Sequence, residues 1–309
     1  SRILITGGAG CLGSNLIERW LPDGHEILVI DNFATGKREV VPELPRLKVT
    51  EGTIADASLV DRCFDEFGPE IVIHSAAAYK DPSDWAEDTA TNVTGTINVA
   101  KASERAKITR LVNFQTALCY GRPERVPIPV DHPERPFTSY GISKTAGERY
   151  LMSSGLPVVS LRLANIAGPR LSIGPIPTFY KRLKEGKSCF CSDTRRDFLD
   201  MQDFFSVIDI VLQSDVPCGV FNVSTGESRS IKDVFDIVSA YLGITPEEPP
   251  PIIPPGEDDV PDVVLDPSET ERILGWKDQV LFEQTIINQL QWYDEHGVTG
   301  IHSHLISKD

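Results

Sequence analysis

Hydrophobic positions fall into two alternating patterns along this chain. Apolar runs at 2 to 6 (RILIT), 26 to 30 (EILVI), 47 to 52 (LKVTEG), 70 to 76 (EIVIHSA), 110 to 115 (RLVNFQ) and 157 to 164 (PVVSLRLA) are near-continuous, which predicts strands buried on both faces. Amphipathic stretches near 12 to 21, 57 to 66, 89 to 105 and 139 to 153 predict helices between them. Regular alternation of the two implies βαβ units and an α/β fold built on a doubly wound parallel sheet. After Gly168 the chain turns proline-rich (GPRLSIGPIPTFY). A further strand at 219 to 226 (GVFNVSTG) is expected to rejoin the sheet, and a second proline-rich piece follows at 245 to 261. The order implies a main domain over 1–166, completed by 219–226, and a smaller discontinuous lobe over 167–309, mainly 167–200 and 227–309.

Composition narrows the partners. Thirty basic against 45 acidic residues give a net charge of −15, which repels polyanions and argues against nucleic acid or an anionic membrane. No apolar run reaches membrane-spanning length and no basic-then-apolar leader opens the chain, so the expected compartment is the cytoplasm. Six cysteines are scattered, with one C-x-C and no C-x-x-C, and read as reduced structural thiols with no metal site. His302 and His304 read as tail residues.

The strongest local signal is ITGGAGCLGSNL. It follows the first strand and opens the first helix, with Gly7, Gly10 and Gly13 at G-x-x-G-x-x-G spacing and Asp31 ending the second strand 18 residues later. Glycines allow a tight turn and close approach of the backbone to a pyrophosphate, whose charge the free amides of a helix N-terminus stabilise. Asp31 suits a ribose 2′-hydroxyl and repels a 2′-phosphate, which favours NAD over NADP; Lys37 and Arg38 blur that preference slightly. The arrangement marks residues 1–166 as a Rossmann-type dinucleotide-binding domain.

A second stretch, SYGISKTAGERY, sets Tyr140 four residues before Lys144 in a helix-forming segment. At that spacing both side chains leave one face of a helix, so the ammonium can sit beside the phenol and lower its pKa. By itself the pair is far more often that of a packed tyrosine beside a solvated lysine.

These motifs, with Asp31-Asn32, HSAAA (74 to 78), TNVTGT (91 to 96), FQTALCYG (114 to 121), LRLANIAGPR (161 to 170) and RRDFLD (195 to 200), resemble the extended short-chain dehydrogenase/reductases. More narrowly they resemble the NAD-dependent nucleotide-sugar epimerase/dehydratase family, including UDP-glucose 4-epimerase-like enzymes and sugar epimerases of bacterial O-antigen clusters, which implies a place in polysaccharide biosynthesis. The resemblance implies that Tyr140 is the acid-base residue, that Lys144 lowers its pKa and holds the nicotinamide ribose, and that Thr116 bonds the reacting sugar hydroxyl. It implies cofactor contacts from Cys11, Leu12, Asn32, Thr53, Ile54, Ala76 and Ala77, with Asn92 nearby as a structural asparagine. Asn165 and Arg196 match residues that contact the nucleotide diphosphate.

The departures matter too. Thr53 stands where the family has an acidic residue for the adenine amine. The late segment PPGEDDVPDVVLD lacks the arginine that the family uses for the second phosphate. Arg196 is therefore left with Arg170, Lys181 and Arg182 as possible helpers. Ala117 and Leu118 replace the Asp-Glu pair of 4,6-dehydratases and the glutamate of UDP-glucuronate decarboxylases. Cys119 is one position away from the 3,5-epimerase cysteine and reads as a core thiol. The Thr/Tyr/Lys set that remains matches C4 epimerisation of a nucleotide-linked sugar. A 4-ketosugar reductase or a dinucleotide-sensing regulatory protein are the alternatives. The family also implies a homodimer formed through helices 89–105 and 139–153, and a position controlling the fit of a 2-N-acetyl group, here Val263.

Overall fold

A computed structural model of the protein describes residues 1–303 and 305; His304 lies outside the described residues. Seven strands form one parallel sheet: β1 (Arg2–Thr6), β2 (Glu26–Asp31), β3 (Leu47–Glu51), β4 (Ile71–His74), β5 (Arg110–Thr116), β6 (Val158–Leu163) and β7 (Gly219–Val223). Their spatial order is β7-β6-β5-β4-β1-β2-β3. The expected strand at 219–226 therefore does rejoin the sheet. Along each inner strand alternate residues serve opposite faces: Ile3, Ile5, Ile27 and Val29 enter one core, Leu4, Leu28 and Ile30 the other. Two buried faces are why the strand sequences are largely apolar, with polar residues such as Asn113, Gln115 and Arg162 buried in β5 and β6.

Helices α1 (Cys11–Trp20) and α7 (Met201–Val211) supply Leu16, Ile17, Phe204 and Val207 to the first core. On the other face α2 (Ala57–Phe67), α4 (Thr96–Ala106) and α5 (Ser139–Met152) bring Val60, Phe64, Val99 and Leu151. A short helix α3 (Trp85–Asp88) precedes α4. A third core joins α6 (Pro175–Lys184), α8 (Ile231–Leu242) and α10 (Phe282–His296) through Phe179, Phe235, Val238, Ile286 and Leu290. Helix α9 (Ser268–Leu274) and Trp276 return to the main sheet, where the Trp276 indole donates to Ser206 Oγ at 2.8 Å.

The predicted helix at 89–105 is not uniform. Residues Thr89–Gly95 form a π-helical stretch between α3 and α4. Gly147 of α5 approaches so closely there that a Cβ would lie 2.5 Å from Asn92 O. That carbonyl accepts instead from Thr96 Oγ1 at 2.7 Å, a side-chain substitute for a regular helical bond. His302 is not a loose tail residue: its ring stacks on His296 at 3.9 Å and its carbonyl accepts from Arg170 Nη1 at 2.7 Å. All six cysteines are free, and Cys119 is fully buried in a small cluster with Tyr120, Ile128 and Leu265. No helix of the described residues is long and apolar enough to cross a membrane.

Candidate active site

The turn between β1 and α1 is built around backbone contact. Gly7 has φ +71°, and a Cβ on it would lie 2.7 Å from Ala76 N, so the glycine loop and the loop after β4 touch through their main chains. Gly13 packs just as closely, its Cβ position 2.7 Å from Gly8 Cα. Gly10 differs: a Cβ there meets only Gly7 O, at 3.3 Å. Gly10 is also the N-cap of α1 and provides no side-chain cap, so amides of the first turn have no intrahelical partner.

These groups open on a crevice of about 830 Å³ at the carboxyl ends of the strands. Gly7, Gly10, Cys11 and Leu12 line its floor, with Asp31, Asn32, Thr53 and Ile54 on one side and Ala76 and Ala77 on the other. Asp31 accepts from Ala9 N (2.9 Å) and Phe33 N (2.8 Å), which ties the β2 end to the glycine loop. Burial raises its pKa against the lowering effect of those two bonds. Lys37 and Arg38 are engaged elsewhere, on Thr299 O and Val41 O, so neither stands ready for a 2′-phosphate. A crevice wall at Gly10 without a side chain, uncapped amides and a carboxylate at the ribose position fit a dinucleotide without a 2′-phosphate.

Gly13, Asn92, Tyr140 and Lys144 stand outside that lining. Asn92 clasps the loop after β4: its Oδ1 accepts from Ala78 N at 2.8 Å while its Nδ2 donates to Ala78 O and Ser143 Oγ. Tyr140 reaches the crevice through Tyr79, a lining residue whose ring meets it edge-on at 6.1 Å. Neither Tyr79 nor Asp88, also in the lining, was singled out from sequence. The signal available was the dense polar run YKDPSDWAED just before TNVTGT.

The expected effect of Lys144 on Tyr140 is not found. Lys144 Nζ donates to Phe114 O at 2.7 Å, and burial draws its pKa down to about 8. Burial, then Tyr79 and Asp88, push the Tyr140 phenol above its ordinary range. Spacing along a helix places two side chains on one face, but here a β5 carbonyl takes up the ammonium. His74, between Thr6 Oγ1 and Thr96 Oγ1 at 2.8 Å each, is held neutral, its pKa brought down to about 3 by burial and then by Lys144. Thr116 ends β5, and its Oγ1 caps the next turn by accepting from Leu118 N at 3.1 Å.

Asn165, Arg196 and Val263 lie on or beside short strands that follow β6 in the chain. Asn165 donates from both N and Nδ2 to Asp197 O, and Val263 pairs in parallel register with Arg196. Val263 is half-buried against the Cys119 cluster. Arg196 Nη2 is 2.8 Å from Asp259 Oδ1, in the segment that lacks the expected arginine. Arg170 is not available to help: it is buried, donates to Ser14 Oγ at 3.0 Å and pairs with Glu18 at 2.9 Å, locking the chain after β6 onto α1. Arg182 folds back onto Ser188 O, and Lys181 is exposed on α6.

A family model described as the NAD dependent epimerase/dehydratase family matches residues 3–224. A UDP-glucose 4-epimerase of Mycolicibacterium smegmatis is 30% identical, over 94% of this chain and 98% of that protein. The Bordetella bronchiseptica enzyme WbmG, solved in complex with NAD and UDP, is 69% identical over 99% of each chain with a TM-score of 0.98. A Thermotoga maritima UDP-glucose 4-epimerase solved with UDP-glucose is 26% identical, over 96% of this chain and 99% of that one, with a TM-score of 0.87.

Proposed function

The chain belongs to the NAD-dependent epimerase/dehydratase family, and from that premise we propose that it epimerises C4 of a nucleotide-linked sugar through a transient 4-keto form. The observation that carries this reading is the site as a whole. A crevice fitted to NAD adjoins Tyr140, with Thr116 at the β5 end, while the residues beyond Thr116 are Ala117 and Leu118. Elimination of water needs a further acid and base, for which those two side chains have no groups.

Gly10 and Asp31 would hold NAD, which when bound would supply a hydride acceptor that can return what it takes. The chain's own work is positioning and proton transfer. Tyr140 takes the proton of the sugar 4-hydroxyl as the ketone forms, and gives it back when the other face is reduced. Because its phenol is pushed up in the protein alone, it needs positive charge beside it to act as a base. Lys144 is one source, provided its ammonium leaves Phe114 O. Thr116 orients the reacting hydroxyl. Incubating the purified protein with UDP-, GDP- and dTDP-sugars tests the reading. Interconversion of C4 epimers without consumption of added cofactor supports it, and stoichiometric oxidation of NADH would replace it with a ketoreductase.

Asn165 and Arg196, which match family residues that contact the nucleotide diphosphate, are assigned to hold it; a neighbour of 69% identity was solved with UDP, which supports a nucleotide diphosphate as ligand. Arg196 then has to exchange Asp259 for phosphate. Asp259→Asn is expected to tighten UDP binding to the NAD-loaded protein by about two- to five-fold, the scale of a half-exposed ion pair. Calorimetric titration giving unchanged or weaker affinity would remove Arg196 from the phosphate site.

Val263, beside Arg196, leaves room for an N-acetyl group on the sugar. Val263→Tyr should lower kcat/KM for UDP-N-acetylglucosamine relative to UDP-glucose by about ten-fold; an unchanged ratio means that Val263 is only packing. Helices α4 and α5 are proposed to form an isologous dimer contact. Ile142 and Tyr150 on α5 are 51% and 54% exposed, as such a contact requires. Sedimentation at micromolar concentration is expected to show a dimer, and a monomer counts against the contact.

A further inference from the structure

Asp197 follows Arg196 in the chain and is 1% exposed. Neither neighbouring arginine neutralises it: Arg195 is turned to Ser228 Oγ at 2.7 Å and Arg196 to Asp259. Its carboxylate is taken up instead by the turn after β7. Oδ1 accepts from Thr225 Oγ1 at 2.7 Å, and Oδ2 accepts from Thr225 N at 3.0 Å and Gly226 N at 2.8 Å. On the other side its carbonyl accepts from Asn165 N at 3.1 Å and Asn165 Nδ2 at 3.2 Å. Burial raises the pKa of Asp197 to about 6 against the lowering effect of its bonds to Thr225 and Gly226, so at neutral pH the side chain is an acceptor only. That suits a site presenting three donors, whereas an asparagine there would turn an NH2 towards one of them.

We propose that Asp197 is a positioning residue for the nucleotide diphosphate: its clasp on Thr225 and Gly226 sets where Asn165 and Arg196 stand relative to the main sheet. This rests on those two residues holding the diphosphate. Three segments meet at Asp197. Before it, Arg195–Arg196 lies between the short strands Arg229–Ser230 and Asp262–Val263, so Arg196 and Val263 share one small sheet. After it, Phe198–Asp200 runs parallel to Asn165–Ala167, with Phe198 opposite Asn165. The carboxylate then ties both pieces to the end of β7, the edge strand of the main sheet. Asn165 is exposed and Arg196 is half-buried, so a ligand can approach them, while Asp197 is shut away and acts through them. A guanidinium grips phosphate through paired N–H bonds in a fixed fork, and a displacement of about 1 Å in the strand that carries it is costly. Asp197, Thr225 and Gly226 lie outside the lining of the cofactor crevice. Loosening the clasp should therefore weaken diphosphate binding and leave NAD binding alone.

Calorimetric titration of UDP into the NAD-loaded protein tests this. Asp197→Asn, which keeps the size of the side chain, is expected to weaken UDP binding by at least about ten-fold, with NAD binding within about two-fold of the parent. Thr225→Val removes one donor from the other side of the clasp and should weaken UDP binding by about two- to five-fold. The penalty for Asp197→Asn should also shrink in an Arg196→Ala background, a non-additivity that a general loss of stability would not produce. Parent-like UDP affinity in folded Asp197→Asn, or NAD affinity falling in step with that for UDP, overturns the proposal. Should Asp197→Asn fail to fold, Thr225→Val decides: weaker UDP binding supports the clasp and unchanged binding overturns it. Arg196→Ala separates this outcome from the assignment beneath it. Unchanged UDP affinity in Arg196→Ala means that the diphosphate lies elsewhere and the underlying reading fails, whereas weaker binding there beside parent-like binding in Asp197→Asn removes only the role of Asp197.

Discussion

Tyr140→Phe is expected to bind NAD like the parent protein and to lose at least about 10²-fold in turnover, the scale of a missing acid-base group. The ring keeps its edge-on contact with Tyr79, so packing is preserved while the proton carrier is gone. Turnover within a few-fold of the parent, followed by separation of the epimeric sugars, would sink the assignment. Lys144→Met should combine two losses. It removes the cation that can offset burial at Tyr140, and it leaves Phe114 O without the donor now at 2.7 Å. Lower turnover together with lower thermal stability is the expected signature, whereas Tyr140→Phe should affect turnover alone.

The second large effect is predicted at the glycine loop, where two substitutions of the same kind should differ in outcome. Gly7→Ala places a methyl group 2.7 Å from Ala76 N in a residue with φ +71°, and the obstacle is main chain that cannot turn aside. Strain of about 1 to 3 kcal/mol is expected, read as a lowered melting temperature, with at least about ten-fold weaker NAD binding as the two loops part. Gly10→Ala has an ordinary backbone and meets only Gly7 O at 3.3 Å, so it asks for a shift of a few tenths of an ångström and should cost less stability than Gly7→Ala. Its methyl group would instead occupy the space a pyrophosphate needs, and NAD binding should fall by a similar factor. Equal affinity in Gly10→Ala and the parent would mean that the dinucleotide does not pass over this turn.

Much of this was legible without coordinates, and the reason is physical. Strands buried on both faces are mostly apolar, so β1 to β6 stand out of the sequence as apolar-rich runs, and the alternation with amphipathic helices follows from the crossovers a parallel sheet requires. The glycine spacing, Asp31 and the Tyr140/Lys144 pair are local patterns whose geometry is set within one turn or one strand. The π-helical stretch at 89–95 was not legible from local pattern; it lies where Gly147 of another helix packs closely against Asn92 O.

The state of the side chains in the site was decided by the tertiary structure alone. Arg170 looked available for phosphate until the fold buried it against Ser14 and Glu18 of α1, and Arg196 acquired Asp259, 63 residues on, as a resident anion. Lys144 sits one helical turn from Tyr140 and yet gives its ammonium to a carbonyl of β5, while Asp88, inconspicuous in an acidic run, became a buried residue of the crevice wall. Periodicity and spacing specify which elements form and which residues share a face. Which charges meet, and how far water is kept from them, depends on segments distant in the chain being packed together, and that sets the chemistry each group can perform.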